Sequence, residues 1–238
     1  MSATAPQATV DLDAVNRELE RASPEAILAW TWERFQPKVI LTCSFQHDGV
    51  VLAHMLRDVA PEVPVVFINT GFHFPETLAY RDEIKRRFDI ALVELDPIMP
   101  RDAFAKEHGL DLYARNPDLC CQINKVEPLK RYLPGVRAWV NGRRRDQAGT
   151  REGIRVVEAF QGELYKVNPM ASWTSRDTFY YMDRHGIPTH PLFDKGYASI
   201  GCAPCTRPVM PGESERDGRW AGQNKTECGL HTFLAPKA

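Results

Sequence analysis

Six cysteines are the residues of this chain best suited to chemistry, and four of them form two close pairs. Cys120 and Cys121 are adjacent, and Cys202 and Cys205 form a CxxC motif. Four thiolates suit either zinc or an iron–sulfur cluster. Because adjacent side chains on a helix point about 100° apart, this spacing favours a cluster with separated iron atoms over a single zinc ion. The alternatives are two unrelated thiol pairs or a redox disulfide within one pair.

Positively charged residues accompany these thiols. Cys228 lies in the motif KTECGLH near the C-terminus, flanked by Lys225 and His231. Chain ends are usually the least ordered part of a domain, so a thiol without a role is one interpretation, and a catalytic thiol activated by its cationic neighbours is the other. Lys125 follows Cys121 by four residues, on the same face of a regular helix. It could offset the charge of thiolate ligands, reach a bound anion, or be an ordinary surface lysine.

Three polar segments are candidates for binding an anionic nucleotide. SFQHDG and NTGFHF each follow a predicted buried strand, where open α/β sheets bind ligands, and the first leads into a helix whose N-terminus can hold phosphate or sulfate. NGRRRDQAGTRE carries arginines, which grip such anions in bidentate fashion. Ordinary turns and a solvated arginine face are the alternatives, since the GxxxxGK[ST] and GxGxxG signatures are absent. The candidate ligand residues in these segments are Ser44, Phe45 as a base-stacking ring, Asn69, Thr70, Gly71, Arg143, Arg144 and Arg151.

The elements that must position these residues alternate between helix and strand. Helices are predicted at 11–21, after Ser23 with Pro24 in the first turn, and in TSRDTFYYMDRHG; Asp118 is predicted to cap a helix that Pro128 kinks or splits. Strands are predicted in KVILTCSF, where Cys43 is a buried small hydrophobe, and in VPVVFINTG, IALVEL and RAWVNG, with a hairpin formed by GIRVVEAF and ELYKVNPM. This alternation predicts an α/β fold with a mostly parallel sheet flanked by helices.

The composition and apolar periodicity of the sequence divide the chain into three parts. Residues 1–37 are predicted to be an N-terminal helical segment, and 38–198 a nucleotide-binding α/β domain. After Ile200 the periodicity gives way to glycine, proline and charge, so 199–238 is predicted to be a C-terminal tail.

Composition excludes several functional classes. The 238 residues are 43% apolar with a net charge of −1, which allows a real core but argues against binding nucleic acid or membranes through bulk charge. No apolar run approaches the ~18 residues that cross a bilayer, and the N-terminus lacks the layout of a signal peptide. We therefore expect a cytoplasmic protein, in which cysteines serve as metal ligands or catalytic thiols more often than as disulfides.

The motifs in combination resemble those of the assimilatory adenylyl-sulfate reductases, relatives of the phosphoadenylyl-sulfate reductases. The resemblance is carried by CCQINKVEPLKRYL, GCAPCTRPVMPGESERDGRW and KTECGLH, and less specifically by TCSFQHDGVVLAHM, VFINTGFHFPET and NGRRRDQAGTRE. It implies an adenine-nucleotide α-hydrolase-like fold with a mobile C-terminal tail. It also implies thioredoxin-dependent reduction of adenosine 5′-phosphosulfate to sulfite and AMP, in assimilatory sulfate reduction, through an S-sulfocysteine intermediate.

The resemblance also implies roles for individual residues. Cys228 would be the nucleophile, Lys125 would lie between cluster and substrate, and Arg216 and Arg219 would hold the phosphosulfate, with His231 also at the substrate. The ligands of a 4Fe–4S cluster would be Cys120, Cys121, Cys202 and Cys205, a set that in the family accompanies a preference for the substrate without a 3′-phosphate. The loop SFQHDG departs from the glycine-rich form common in relatives, and a histidine at its position 47 is unexpected.

Other functions remain as alternatives at this point. They are reduction of the 3′-phosphorylated substrate, an iron–sulfur enzyme that transfers sulfur to tRNA, and a binding module stabilised by zinc. The second would prefer an SGGxDS-type ATP loop and a basic surface, and neither is indicated here. The sequence leaves open whether the chain forms homo-oligomers.

Overall fold

A six-stranded sheet organises the chain, in a computed structural model that describes residues 10–223 and 225–232. Its strands are β1 (Val39–Thr42), β2 (Val65–Ile68), β3 (Leu92–Leu95), β4 (Ala138–Val140), β5 (Val157–Gln161) and β6 (Leu164–Val167). Their order in the sheet is β3-β2-β1-β4-β6-β5. Neighbouring strands are parallel except β5 and β6, which form an antiparallel hairpin. The predicted mostly parallel sheet and the predicted hairpin are confirmed.

Helices flank this sheet and connect its strands. They are α1 (Leu12–Leu19), α2 (Pro24–Phe35), α3 (His47–Val59), α4 (Pro75–Phe88), α5 (Arg101–His108), α6 (Leu112–Arg115), α7 (Pro117–Cys121), α8 (Glu127–Tyr132), α9 (Ser175–Arg184) and α10 (Gly229–Thr232). Short 3₁₀ turns lie at Arg145–Gln147, Gly149–Arg151, Phe193–Lys195 and Ala203–Cys205. In the described part of the chain, no helix combines the length and the apolar character needed to cross a membrane.

The buried strands place alternate residues in two cores, one on each face of the sheet. Leu41 of β1 and Phe67 of β2 belong to the larger core, whereas the neighbouring Ile40 and Val66 belong to the smaller one. Successive side chains of a strand point to opposite faces, so a strand covered on both sides must be apolar throughout. This explains why KVILTCSF shows a continuous apolar run. Cys43, at its end, is buried and free, as predicted.

The N-terminal helices belong to the main core of the domain. Ile27, Leu28 and Phe35 of α2 are buried in the same cluster as β1 and α3. Ser23 caps α2 as predicted, because its Oγ accepts a hydrogen bond from the backbone N–H of Ala26 at 3.3 Å. The segment predicted as 1–37 is therefore packed, in its described part, against the sheet rather than set apart from it.

The helix that carries the adjacent cysteines is interrupted, and its cap differs from the prediction. Asn116, and not Asp118, caps α7, with its Oδ1 accepting from the Leu119 N–H at 3.0 Å. A π-helical turn, Gln122–Val126, follows α7 directly, and α8 begins with Pro128 in its first turn. Because proline has no N–H to donate to the helical ladder, the regular i to i−4 pattern gives way here. The predicted interruption at Pro128 is confirmed as a π turn.

The described residues of the C-terminal segment, 199–223 and 225–232, fold back onto the domain. Cys202 forms an isolated bridge with His73, and Trp220 is only 3% exposed. This segment contains little regular structure, as its composition predicted. It is held to the domain by specific contacts, and these contacts form much of the site described next.

Candidate active site

A cavity of about 180 Å³ opens where the strand order reverses, beyond the carboxyl ends of β1 and β4. Crevices at such reversal points are the usual ligand sites of open α/β sheets. Most of its wall is formed by the loop after β1, the loop after β4 and the C-terminal segment, to which the loop after β2 adds His73 and the π-helical turn adds Lys125. Its polar residues include Ser44, Gln46, Asp48, His73, Lys125, Arg143, Arg151, Arg216, Arg219, Cys228 and His231.

The loops after β1 and β4 meet at the N-terminus of α3. A Cβ atom on Gly142 would lie 2.9 Å from the Cβ of Asp48 and 3.2 Å from the backbone N of Gly49, so this approach requires glycine. Gln46, the residue before α3, makes no side-chain cap with the helix. The first N–H groups of a helix lack partners within the helix, and here they border the cavity. They are therefore available to an anionic ligand.

Arg144 serves a structural purpose, contrary to its prediction as a substrate ligand. Its side chain is 2% exposed and does not line the cavity. It forms ion pairs with Asp48 at 3.0 Å, Asp146 at 2.9 Å and Glu215 at 3.1 Å. Three carboxylates neutralise this guanidinium, and burial leaves no face of it open to the cavity. Arg144 therefore joins the two loops to the C-terminal segment.

The first predicted binding segment contributes in part. Ser44 is exposed in the cavity wall, and its Oγ accepts from Gln46 Nε2 at 3.3 Å. Phe45 is completely buried and packs against Phe67 at 5.7 Å between ring centroids. The prediction that Phe45 stacks on a base is therefore wrong for this structure, because its backbone φ of 57° turns the ring into the core.

The second predicted segment is divided between the two cavities: Thr70 lies beside the cysteines, whereas His73 lines the large cavity. Asn69 donates to Glu94 at 2.7 Å and accepts from the Gly71 N–H at 3.0 Å. Thr70 Oγ1 is 3.3 Å from Cys202 Sγ. None of Asn69, Thr70 and Gly71 is among the described residues that line the large cavity. The substrate contacts predicted for these three residues stay a prediction, since they are absent from this wall although His73 of the same segment belongs to it.

Three arginines of the cavity wall already have carboxylate partners. Arg143 pairs with Glu158 at 3.1 Å. Arg151 and Arg216 both bind Glu227, at 2.8 Å and 3.1 Å. Burial, reinforced by the charge of Arg151, lowers the pKa of Arg216 to about 10. Because the guanidinium group of arginine is not deprotonated in proteins, these three side chains form a positive wall.

Arg219 lies between the large cavity and the cysteines. Its guanidinium rests on the backbone of Gly201, where an added Cβ would be 2.2 Å from Nη2, and over the Trp220 ring at 4.5 Å. Its Nη1 donates to the Ile200 carbonyl at 3.4 Å, and its buried Nε has no partner among the described residues. Arg219 and Lys125 line both cavities. These two cations therefore separate the cysteines from the larger cavity.

The four paired cysteines converge on a second, small cavity of about 10 Å³. Its wall contains Cys120, Cys121, Cys202 and Cys205, together with Thr70, Lys125, Arg219 and Trp220. All four cysteines are free, so neither pair is a disulfide here. Across the described residues, no group of three or more His, Cys, Asp or Glu side chains is arranged to hold a metal ion. The structure places all four thiols around one small cavity, although the two pairs are about eighty positions apart in the sequence.

Burial and the close approach of these thiols to one another shift their pKa values. Burial and the neighbouring Cys121 thiol raise the pKa of Cys120 to about 12, and burial and Cys202 raise that of Cys205 to about 11. For Cys202 burial acts in the same direction, but the charge of Lys125, the hydrogen bond with Thr70 and the charge of Arg219 together outweigh it, and the pKa is lowered. Burial alone would lower the pKa of Lys125, yet the surrounding thiolates raise it. Four thiolates in this space therefore need more positive charge than Lys125 supplies.

Cys228 is half-buried in the wall of the large cavity, directly before α10. Its backbone N–H donates to Oε1 of Glu227 at 2.8 Å. Of the cations near it in sequence, Arg216 and Arg219 share the cavity wall with it. Lys225 forms an ion pair with Asp118 and lies 5.6 Å from the Trp220 ring centroid.

His231 reaches the cavity but is not a cation. It stacks over Trp139 with ring centroids 5.8 Å apart. Burial, together with the charges of Lys166 and Arg143, lowers the pKa of His231 well below its ordinary value. The prediction of a cationic His231 is corrected, because a neutral imidazole is present at pH 7. Its buried Nδ1 has no hydrogen-bond partner among the described residues.

Sequence reasoning missed several residues of this site. Gln46 accepts from the Ile200 N–H at 2.8 Å and so ties the C-terminal segment to the loop after β1. His73 lines the cavity with a ring that burial keeps neutral, with a pKa of about 4. Glu227 is a third such residue. An acidic side chain directly before Cys228, in a segment rich in arginine, is a local signal that its carboxylate pairs with nearby cations.

Comparisons with known proteins identify similar chains. A family profile described as the phosphoadenosine phosphosulfate reductase domain matches residues 38–208. The adenosine 5′-phosphosulfate reductase of Streptomyces coelicolor is 44% identical over 224 residues, which cover 92% of each chain. The protein of the same name from Bacillus cereus is 39% identical over 218 residues, which cover 91% of this chain and 93% of the relative.

Solved structures give the same picture of the fold. The phosphoadenylyl-sulfate reductase of Candida auris, in a phosphate complex, is similar with a TM-score of 0.75 and 30% identity, covering 86% of this chain and 100% of that chain. The FMN adenylyltransferase of Candida glabrata, with FAD and pyrophosphate, has a TM-score of 0.59 at 16% identity and covers 92% of this chain and 80% of that chain. At that level of identity the second likeness concerns the fold alone.

Proposed function

The chain belongs to the phosphoadenosine phosphosulfate reductase family, and we propose that it reduces adenosine 5′-phosphosulfate to sulfite and AMP in assimilatory sulfate reduction. It is an oxidoreductase acting on a sulfur group. One observation carries the proposal: Cys228 shares the wall of a single cavity with Lys125 and four arginines, at the reversal point of the sheet. A nucleophilic thiol beside a cluster of cations is what attack on an anionic sulfate ester requires.

Binding of the substrate follows from the charges of the wall. The phosphosulfate group is anionic, and guanidiniums bind such groups through paired N–H donors. Arg143 and Arg216 each keep a buried Nε without a partner among the described residues. The uncapped N-terminus of α3 borders the same cavity. In the proposal these donors hold the phosphosulfate with its sulfur facing Cys228.

The first step transfers the sulfo group to the enzyme. The Cys228 thiolate attacks the sulfur, a bond forms between the two sulfur atoms, and the bond from that sulfur to the bridging phosphate oxygen breaks. AMP departs with the electron pair of the broken bond. Lys125, Arg216 and Arg219 neutralise the sulfo oxygens, which otherwise repel the thiolate. The product on the enzyme is S-sulfocysteine at position 228.

The second step needs a dithiol, and we propose thioredoxin as its source. One thioredoxin thiolate attacks the Cys228 sulfur and releases sulfite, and its second thiol then resolves the mixed disulfide. Thioredoxin thereby supplies both electrons and leaves oxidised. Because Cys228 faces the cavity, the residues around α10 must move outward before a partner protein can reach it. Six free thiols suit a reducing compartment, so we propose that the reaction is cytoplasmic.

We further propose that Cys120, Cys121, Cys202 and Cys205 hold a 4Fe–4S cluster. The donor set fits the chemistry of such a cluster, since four free thiols line one cavity. Thiolates around a cubic cluster bind separate iron atoms, so they need not converge on a point as they must around zinc. A bound cluster would supply a charged, rigid centre on the far side of Lys125 and Arg219.

Metal analysis tests the cluster separately from the reaction. We expect iron and acid-labile sulfide, with visible absorbance, in protein purified without oxygen. Cys205→Ser should lose most of the iron, whereas Cys43→Ala, which alters a free buried cysteine outside the set, should retain it. Stoichiometric zinc in a colourless protein would overturn the cluster proposal.

Product analysis tests the proposed function. Iron-loaded protein is incubated with thioredoxin, its reductase and NADPH, and with either adenosine 5′-phosphosulfate or its 3′-phosphorylated analogue. We expect sulfite and AMP in equal amounts from the first compound, with a clearly lower kcat/KM for the second. Sulfite from the 3′-phosphorylated compound alone, or from neither, would contradict the proposal.

A further inference from the structure

Glu227 occupies the arginines that an anionic ligand of the cavity would use. Its carboxylate accepts from Nε and from Nη2 of Arg151, both at 2.8 Å. The Nη2 group of Arg216 donates to the same carboxylate at 3.1 Å. Both guanidiniums line the cavity. Glu227 itself is 11% exposed, so an internal anion is buried against the wall that faces the substrate.

This carboxylate is ionised and well held. Burial alone would raise its pKa, but the hydrogen bonds and charge of Arg151, and the charge of Arg216, lower it far below the ordinary range. Paired N–H donors on one edge of a guanidinium are the arrangement that best recognises a carboxylate or a phosphate. On Arg151 that edge is already taken by Glu227. A phosphate or sulfo group that enters the cavity therefore competes with Glu227 for the same donors.

Glu227 also governs where the adjacent thiol sits. The N–H of Cys228 donates to Oε1 of Glu227 at 2.8 Å, and the same oxygen accepts from Arg151 and Arg216. One oxygen atom thus joins the backbone of Cys228 to both arginines. If the carboxylate yields these arginines to an anion, its hydrogen bond from the Cys228 N–H can persist, because donor and acceptor belong to adjacent residues.

We propose that Glu227 is an internal substitute for the anionic group of the substrate. It occupies Arg151 and Arg216 while no anion is bound, and it yields both to the phosphosulfate when the substrate enters, with Cys228 still at the cavity wall. When AMP departs, Glu227 returns to the arginines and completes its release. Glu227 is therefore a positioning residue that weakens the binding of substrate and product in exchange for faster release. This inference rests on the proposed function, because it assumes an anionic nucleotide in this cavity.

Removing the charge of Glu227 distinguishes this role from that of a residue that only holds Cys228 in place. Glu227→Gln keeps the shape and an oxygen that can accept from Cys228. We expect it to bind adenosine 5′-phosphosulfate about tenfold more tightly, measured by calorimetry in a Cys228→Ser background so that no reaction occurs. In the protein with Cys228 intact, the same change should lower KM together with kcat, because AMP is released more slowly. If Glu227 only held Cys228 in place, the same substitution would instead loosen the site and weaken binding.

The chain offers a matched control in the same segment. Glu213 forms a bidentate pair with Arg207, with both distances at 2.7 Å, and neither residue lines the cavity. Glu213→Gln should therefore leave the dissociation constant unchanged. If Glu227→Gln does not fold, Glu227→Asp serves, since a shorter carboxylate cannot span the same donors, and tighter binding is again expected.

Unchanged or weaker binding in both Glu227 variants would overturn the inference. The proposed function would be unaffected in that case, provided that the protein with native Glu227 still forms sulfite. If the Cys228→Ser protein binds no adenosine 5′-phosphosulfate and the native protein forms no sulfite, the proposed function fails first. The two failures are therefore distinguishable.

Discussion

Burial decides the charge of individual side chains at this site. His231 is neutral because it is enclosed beside Lys166 and Arg143. Lys166 is itself 4% exposed and lies over the Phe160 ring at 3.8 Å and the Trp139 ring at 4.9 Å. Burial and the charge of Arg143 lower the pKa of Lys166 to about 7. A lysine under the active-site wall therefore changes charge near physiological pH.

Lys166 should make stability depend on pH. In the unfolded chain a lysine has a pKa of about 10.4, so between pH 7 and that value the unfolded state binds more protons than the folded state. Stability then rises with pH across this window, by at most about 1.4 kcal/mol per pH unit. We expect the thermal midpoint of Lys166→Met to exceed that of the native protein by more at pH 7.5 than at pH 9.5. An exposed control, Lys130→Met, should show no such trend, and a constant difference for Lys166→Met would contradict the account.

Sequence patterns identified residues whose role is set locally, and failed where the role is set by distant partners. The CC and CxxC motifs carry their meaning in their spacing, and their four cysteines line one small cavity. Arg143 and Arg144 are adjacent and chemically identical, yet one lines the cavity and the other is enclosed by three carboxylates. Glu215, which completes that enclosure, is about seventy residues away. No local pattern tells the two arginines apart.

At the scale of elements, the strands were predictable because their apolar signals are continuous in sequence. β1, β2, β4 and the β5–β6 hairpin lie in the predicted apolar runs. The π turn after α7 and the approach of the β4 loop to α3 were not predicted in detail. Both depend on how backbone segments meet in space. Pro128 lies just after the π turn, and Gly142 lies where the β4 loop approaches α3.

Gly142 should tolerate no side chain. A Cβ there would lie 2.9 Å from the Cβ of Asp48 and 3.1 Å from its carbonyl carbon, so Gly142→Ala must push the β4 loop away from α3. We expect the dissociation constant for adenosine 5′-phosphosulfate to rise about tenfold or more, measured by calorimetry in the Cys228→Ser background. Gly153→Ala is the control, because nothing lies within 4 Å of its added Cβ. Equal affinity for both variants would contradict this reading of the loop.

At the scale of the whole molecule, the C-terminal segment completes a site that the sheet alone leaves open. Composition predicted its irregular structure correctly, since glycine, proline and charge offer no periodic apolar face. Composition could not predict its docking, which depends on contacts with residues distant in sequence. The largest side chain in these contacts is the buried Trp220. The guanidinium carbons of Arg219 and Arg216 lie 4.5 Å and 5.8 Å from the centroid of its ring.

Trp220→Ala should release the C-terminal segment without unfolding the domain. Loss of a buried tryptophan costs about 3–5 kcal/mol, and here that loss falls on a segment with little regular structure. We expect faster hydrogen exchange in residues 199–232, unchanged protection in β1, β2 and β4, and a large fall in kcat. Met210→Ala, at a 63% exposed position of the same segment, is the control. Uniform loss of protection across the sheet would show that the segment and the domain unfold together.

The central claim is that Cys228 accepts the sulfo group, and intact-mass spectrometry tests it most directly. Iron-loaded native protein, Cys228→Ser and Cys43→Ser are each incubated with adenosine 5′-phosphosulfate, without thioredoxin. We expect a gain of one sulfo group on the native and Cys43→Ser proteins, no gain on Cys228→Ser, and loss of the adduct when reduced thioredoxin is added. An adduct on Cys228→Ser, or none on the native protein, would contradict the account.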